Sequence, residues 1–354
     1  MRPLAATIDR AALAHNLGVA RARAGSARVL AVVKANAYGH GLERAAAAFA
    51  AADGLALIEL DAALRLRESG YAGRLVLLEG LFGADEVTVA ARAGLSVVVH
   101  GEEQLRMLDA APPDSQLDVL LKLNTGMNRL GFALEKAAGA LARLRAHGAV
   151  RTLSLMTHFA AADESRGVAW QLDPFNAFAG GQALPCTLAN SAALLRYPQT
   201  RADWVRPGIM LYGCSPFADQ SATELGLKPA MTLASRLIAV QDIKSGDSVG
   251  YGSAFIAPQA MRIGVIACGY ADGYPRHAPT GTPVLVNGGR TRTLGRVAMD
   301  LICCDLTSLP AATVGAPVTL WGDGLSADEV AAAAGTVSYE LLCALAPRVP
   351  VLLR

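Results

Sequence analysis

Short apolar runs recur through the first two thirds of the chain, each followed by a longer stretch rich in Ala, Leu and Arg, and this alternation most narrows what the sequence can fold into. Eight runs read as strands: Val29–Val33, Leu55–Ile58, Arg74–Leu78, Ser96–Val99, Leu117–Leu123, Thr152–Thr157, Leu184–Leu188 and Trp204–Leu211. Between them Leu42–Ala52, Asp61–Ser69, Glu102–Ala110 and Leu134–His147 read as helices. Eight β–α alternations over roughly 200 residues predict an α/β fold of the (β/α)8 TIM-barrel type. A doubly wound sheet is the alternative. Its first strand usually leads into a glycine-rich dinucleotide turn, and no such turn is present.

The pattern changes after Lys228-Pro229. Met231–Ile243, Ile263–Cys268, Thr282–Val286, Leu301–Asp305 and Pro317–Trp321 read as strands joined by Gly- and Asp-containing turns. A short helix is predicted near Ser326, where Ser-Ala-Asp-Glu forms an N-cap box. Two domains are expected: a barrel over residues 1–228 and a β-strand-rich unit over 229–354. The 354 residues, 53% hydrophobic and 18% charged, can bury a large core, which excludes a disordered chain. A net charge of +2 without a dense Lys/Arg run argues against nucleic acid as a partner. Asp9 and Arg10 come too early for a signal peptide, and no apolar run approaches the ~18 residues of a membrane span, so a cytoplasmic enzyme is expected. Cys186, Cys214, Cys268, Cys303, Cys304 and Cys343 include no C-x-x-C pair and mostly sit in apolar runs. They read as buried free thiols in a reducing compartment, and no metal site is expected.

The first predicted barrel strand runs into Val32-Val33-Lys34-Ala35-Asn36-Ala37-Tyr38-Gly39-His40-Gly41. A strand that ends in lysine presents an amine at the catalytic end of a barrel, where it can form a Schiff base. Taken alone, a lysine there is more often a structural or phosphate contact. The whole string, however, resembles the pyridoxal-phosphate (PLP) signature of the alanine racemase family. Seven further strings match in order: 122–131 (KLNTGMNRLG), 156–160 (MTHFA), 189–193 (ANSAA), 205–209 (VRPGI), 250–253 (GYGS), 269–275 (GYADGYP) and 295–300 (GRVAMD). The resemblance covers nearly the full chain.

The resemblance implies an isomerase that interconverts L- and D-alanine, either supplying D-alanine for cell-wall peptidoglycan or degrading alanine. Lys34 would hold PLP and serve the proton on one face of Cα. Tyr251, reaching in from the other subunit of a head-to-tail homodimer, would serve the opposite face. A free tyrosine has a pKa near ~10, so Tyr251 needs a cationic or hydrogen-bonding neighbour. Arg206 would pair with the pyridine nitrogen. As a donor only, it favours an unprotonated ring and a weaker electron sink, which discourages transamination. Asn190 and Ser191 at a predicted helix start, the N–H groups of Gly208 and Ile209, and the phenol of Tyr38 would hold the phosphate. His158 would pack on the pyridine ring. Arg129 would contact the cofactor's phenolic oxygen or the substrate carboxylate, and Met299 would help hold that carboxylate through its backbone N–H. Tyr270 and Tyr339 would narrow the access route, which suits alanine over larger amino acids. Lys122 occupies the family position often modified to a carbamate.

Two positions depart from the family pattern. Asn124 stands where many relatives carry aspartate. Thr187 stands where many carry a histidine bonded to the pyridine-pairing arginine. Both bear on the surroundings of Arg129 and Arg206 rather than on the reacting groups. Two other functions share parts of this architecture. A PLP-dependent decarboxylase would place an acid at the pyridine nitrogen, where Arg206 stands here. A non-catalytic PLP-binding barrel protein would stop near 230 residues.

Overall fold

In the computed structural model, which describes residues 2–112 and 115–354, eight parallel strands close into a barrel. They are Arg28–Val32, Gly54–Leu57, Arg74–Leu77, Ser96–Val99, Leu117–Asn124, Val150–Met156, Cys186–Thr187 and Trp204–Val205. The last pairs with the first, Trp204 opposite Arg28 and Val205 opposite Val29, which completes the ring. Continuous apolar runs suit strands covered on both faces, and Val97, Val98 and Val99 are all buried. Each such side chain contributes about 1.5–3 kcal/mol of hydrophobic stabilisation. The expected barrel is therefore present, and so is a β-rich second unit.

The eighth strand is shorter than predicted. It stops at Val205, because Pro207 has no N–H for a ladder and Gly208 turns sharply (φ −120°, ψ −95°) into the 3-10 helix Ile209–Tyr212. Arg206 thus sits on the turn just beyond the strand. The predicted helices of the barrel form with ends shifted by a few residues, and Arg10–Ala24, Asp85–Arg92 and Ala169–Ala179 add three that the pattern did not show.

In the second unit six antiparallel strands form a closed ring. Met231–Ile243 pairs with both Met261–Ile266 and Pro317–Trp321, and Ile302–Asp305, Gly289–Leu294 and Pro283–Val286 complete the circuit. Ala5–Ile8, from before the barrel, lies antiparallel to Met231–Ala234, and Val351–Leu353 lies parallel on its other side. Ser326 caps the helix Ala327–Ala333 as predicted, its Oγ accepting from the Glu329 N–H at 3.1 Å. The following helix, Ser338–Cys343, packs across the mouth of the barrel. There a side chain on Gly39 would collide with the Leu342 carbonyl, so the close approach requires glycine.

Candidate active site

The carboxyl ends of the barrel strands and the helix Ser338–Cys343 enclose a cavity of about 500 Å³. Lys34, Tyr38, Lys122, Arg129, His158, Asn190, Ser191, Arg206, Gly208, Ile209 and Tyr339 all line it. Eleven of the fourteen residues singled out from the sequence thus converge. The other three do not: Tyr251 (71% exposed), Met299 (52%) and Tyr270 (38%) stand on outer loops of the second unit.

Lys34 lies two residues beyond the end of the first barrel strand. The chain then makes a turn of unusual hand. Ala35, Asn36, Ala37 and Tyr38 all have φ between 50° and 55°, a left-handed helical turn built from L-residues. Such a turn costs about 1–2 kcal/mol per residue, so its surroundings must hold it. Asn36 contributes: its Oδ1 accepts from the Leu42 N–H at 2.9 Å and anchors the next helix. The turn brings Tyr38 into the cavity, stacked on Tyr212 at 4.6 Å between centroids.

Arg206 is 3% exposed and has no carboxylate partner among the described residues. Neutral acceptors surround it. Nη1 donates to Thr187 Oγ1 at 2.6 Å, and Nη2 donates to the carbonyls of Thr157 at 2.7 Å and Leu188 at 3.1 Å. His158 Nδ1 lies 3.3 Å from Nη2, which makes Nδ1 the acceptor and leaves the ring proton on Nε2. Burial pushes Arg206 down to about 9, so it stays cationic at neutral pH. Thr187, one of the two departures, therefore supplies a direct bond to Arg206. Burial and then the charges of Arg206, Lys122, Arg129 and Lys34 hold His158 far below its usual range, so its imidazole is neutral.

Ser191 Oγ accepts from the Gly208 N–H at 2.8 Å, which leaves its own proton free. Asn190 caps the six-residue helix Ser191–Arg196, its Oδ1 accepting from the Ala193 N–H at 2.9 Å. A Cβ at Gly208 would lie 2.5 Å from the Tyr38 hydroxyl, so glycine leaves room for that phenol beside the Ser191–Gly208 pair. Across the cavity, burial and then Arg206 and Arg129 push Lys122 down to about 8, with Glu79 opposing. Asn124, the other departure, shapes the loop that carries Arg129. Its Oδ1 accepts from the N–H groups of Gly126 and Asn128, both at 3.0 Å, and its Nδ2 donates to Asn128 Oδ1 at 2.9 Å. An aspartate lacks that last donor.

The sequence reading missed Glu79, Asp163 and Cys343, which also line the cavity. None belongs to a string that singles it out. Their one available signal is position: Glu79 and Asp163 each follow the end of a barrel strand.

The outer loops are held by an ion cluster. Asp272, fully buried, accepts from Arg2 at 2.5 and 2.8 Å, from Arg348 Nε at 2.7 Å and from the Gly269 N–H at 2.8 Å. Arg348 also reaches Asp300 Oδ1 at 2.5 Å, and the Tyr270 and Ala271 N–H groups donate to the carbonyls of Ala298 and Met299 at 3.0 Å. The segments that bear Tyr270 and Met299 are thereby fastened to each other.

The sequence and the fold are similar to those of known proteins. Residues 8–216 match the family model "Alanine racemase, N-terminal domain" and residues 230–353 match "Alanine racemase, C-terminal domain". An alanine racemase from Nitrosospira multiformis is 58% identical over 98% of both chains. One from Thiobacillus denitrificans is 60% identical over 99% of this chain and 96% of its own. The crystal structure of the biosynthetic alanine racemase from Pseudomonas aeruginosa superposes with a TM-score of 0.98 at 49% identity, covering both chains completely. Matched along both units by sequence and along its whole length by structure, the chain belongs to the alanine racemase family.

Proposed function

We propose that this chain interconverts L- and D-alanine, with PLP held in the barrel-mouth cavity and two bases acting from opposite faces. The observation that carries the reading is electrostatic. With Lys122 unmodified, Lys34, Lys122, Arg129 and Arg206 face the cavity as cations, whereas Glu79 and Asp163 are its carboxylates among the described residues. A cavity with surplus cations, a buried arginine and a neutral histidine suits a ligand that brings a phosphate and a carboxylate. The Gly208 gap, the Tyr38 phenol and the free proton of Ser191 fit the phosphate end of that group.

Bound there, PLP withdraws electrons from an amino acid joined to it and acidifies the Cα proton. The protein's residues do the rest. Lys34 holds the cofactor and moves the proton on one face. Ser191, Tyr38, Asn190 and the N–H groups of Gly208 and Ile209 hold the phosphate. Arg206 donates to the pyridine nitrogen, and His158, neutral, packs on the ring. Arg129 and Met299 hold the substrate carboxylate, while Tyr270 and Tyr339 limit the size of what enters. Lys122, with its lowered pKa, has enough neutral amine near pH 7 to attack carbon dioxide, lose a proton and become a carbamate anion beside Arg129.

Tyr251 supplies the second base. Since it stands exposed on its own chain, the reading requires a head-to-tail homodimer in which residues 1–228 of one copy face residues 229–354 of the other. A cytoplasmic location goes with this reading, and no helix among the described residues is long and apolar enough to cross a membrane. The decarboxylase and the non-catalytic barrel are not favoured: the close relatives are named alanine racemases, and both family domains are present.

The test is to incubate the protein with PLP and L-alanine and follow D-alanine by coupled D-amino-acid oxidase. D-Alanine is expected from wild type and not from Lys34→Ala. No D-alanine from PLP-loaded wild type overturns the reading.

A further inference from the structure

The signature segment contains one buried polar group that the chemistry above does not use. His40 is inaccessible to solvent, two residues beyond the left-handed turn. Its Nδ1 lies 3.1 Å from the Ala37 carbonyl oxygen and 2.9 Å from that of Tyr38. Two carbonyl acceptors make Nδ1 the protonated nitrogen. Nε2 then bears a lone pair for which the described residues offer no donor. A buried bare acceptor is unfavourable, and an apolar ring would fill the space without it. The imidazole's distinctive contribution is therefore the Nδ1–H. The Ala37 carbonyl also takes the His40 main-chain N–H at 3.0 Å, so one residue grips the end of the turn twice.

The ring is itself held. It leans on Tyr212 at 4.7 Å between centroids, and Tyr212 stacks in turn on Tyr38. The Tyr212 hydroxyl donates to the Val32 carbonyl at 2.8 Å, two residues before Lys34. One stack of three rings thus reaches both the beginning and the end of the strained segment.

We propose that His40 is a positioning residue, whose Nδ1–H draws on the carbonyls of Ala37 and Tyr38, holds residues 35–38 in the left-handed turn and so fixes the spacing between Lys34 and the Tyr38 hydroxyl. The link to cofactor binding rests on the reading of Lys34 and Tyr38 given above.

The test compares full-length, PLP-loaded wild type with His40→Phe, which keeps a ring and loses the donor, and His40→Asn, which restores a donor near the Nδ1 position. Val284→Ala, at a buried site in the second unit, controls for general loss of stability. Hydrogen exchange of the amides of residues 37–41 and the rate of PLP release are both measured. In His40→Phe both are expected to rise about tenfold, with partial recovery in His40→Asn and no local change in Val284→Ala. Unchanged exchange in His40→Phe, or an equal rise in Val284→Ala, overturns the proposal. Faster exchange with unaltered PLP release overturns the part of the proposal that ties the turn to the spacing of Lys34 and Tyr38, whereas failure of the Lys34→Ala test above would instead remove the cofactor reading.

Discussion

The barrel mouth and the outer loops of the second unit prepare their functional side chains differently. At the barrel mouth several groups are answered from within the chain: Arg206 meets four neutral acceptors, Ser191 meets the Gly208 N–H, and Tyr38 lies on a ring stack. On the outer loops the segments of Tyr270 and Met299 are also fixed, with Asp272 clamped by two arginines, yet these two side chains and Tyr251 are exposed. The first region is a site preorganised for a small anionic group. The second holds its backbone in place and leaves its side chains exposed.

The sharpest way to break that comparison is Tyr251→Phe. It is expected to lower kcat by about 10²–10⁴, the usual scale for a lost general acid or base, while PLP uptake by absorbance stays unchanged. Mixing Tyr251→Phe and Lys34→Ala chains is expected to recover part of the activity, because one site of a mixed dimer keeps both residues. A verified mixed dimer that stays inactive places Tyr251 outside the site.

Gly208→Ala probes the other region. The added carbon meets the Tyr38 hydroxyl, and overpacking of this kind costs about 1–3 kcal/mol. PLP affinity in an equilibrium titration is expected to fall roughly 5- to 150-fold, with the Tyr251-dependent step intact once PLP saturates.

Asp272→Asn is the mildest and tests the clamp. Burial alone would raise the Asp272 pKa, but the bonds from Arg2, Arg348 and the Gly269 N–H outweigh it and hold the carboxyl below 3.8. A carboxylate whose pKa is depressed by folding adds stability above its unfolded value, and loses it as pH falls through the folded value. The variant is expected to be about 1–3 kcal/mol less stable at pH 7, less than a fully buried pair because both arginines are partly exposed. The difference in melting temperature should shrink as pH drops below about 4. A gap that persists at pH 2 shows that the clamp acts by packing rather than by charge.

Legibility in the sequence followed the range of the interaction responsible. Ser96–Val99, Met231–Ile243 and Pro317–Trp321 appear with the predicted ends, because a continuous or alternating apolar run reports its own burial. The eighth strand was overextended since Ile209–Tyr212 is apolar in composition, whereas its geometry is set by Pro207 and Gly208. Ala5–Ile8 offered only four residues, three of them small, and a partner more than 200 positions away, which no local pattern reveals. The left-handed turn of 35–38 was also invisible: Ala, Asn, Ala and Tyr are not residues that advertise positive φ as a group, and the contacts along it involve Leu42, His40 and Tyr212 as well as Asn36. The cavity residues inside the family strings converged, but Glu79, Asp163 and Cys343 belong to no string and became apparent only through the shape of the cavity.

The pairing of Ala5–Ile8 with residues 231–234 and 351–353 makes the barrel an insertion in the thread of the second sheet. During synthesis, that first strand leaves the ribosome well before either neighbour exists. It must stay unpaired while the whole barrel is translated. Its four residues are short, with Ala, Ala and Thr side chains at three of them, so the waiting strand offers other nascent chains little to pair with. Completion of the second sheet therefore waits until residues 351–353 are free to pair.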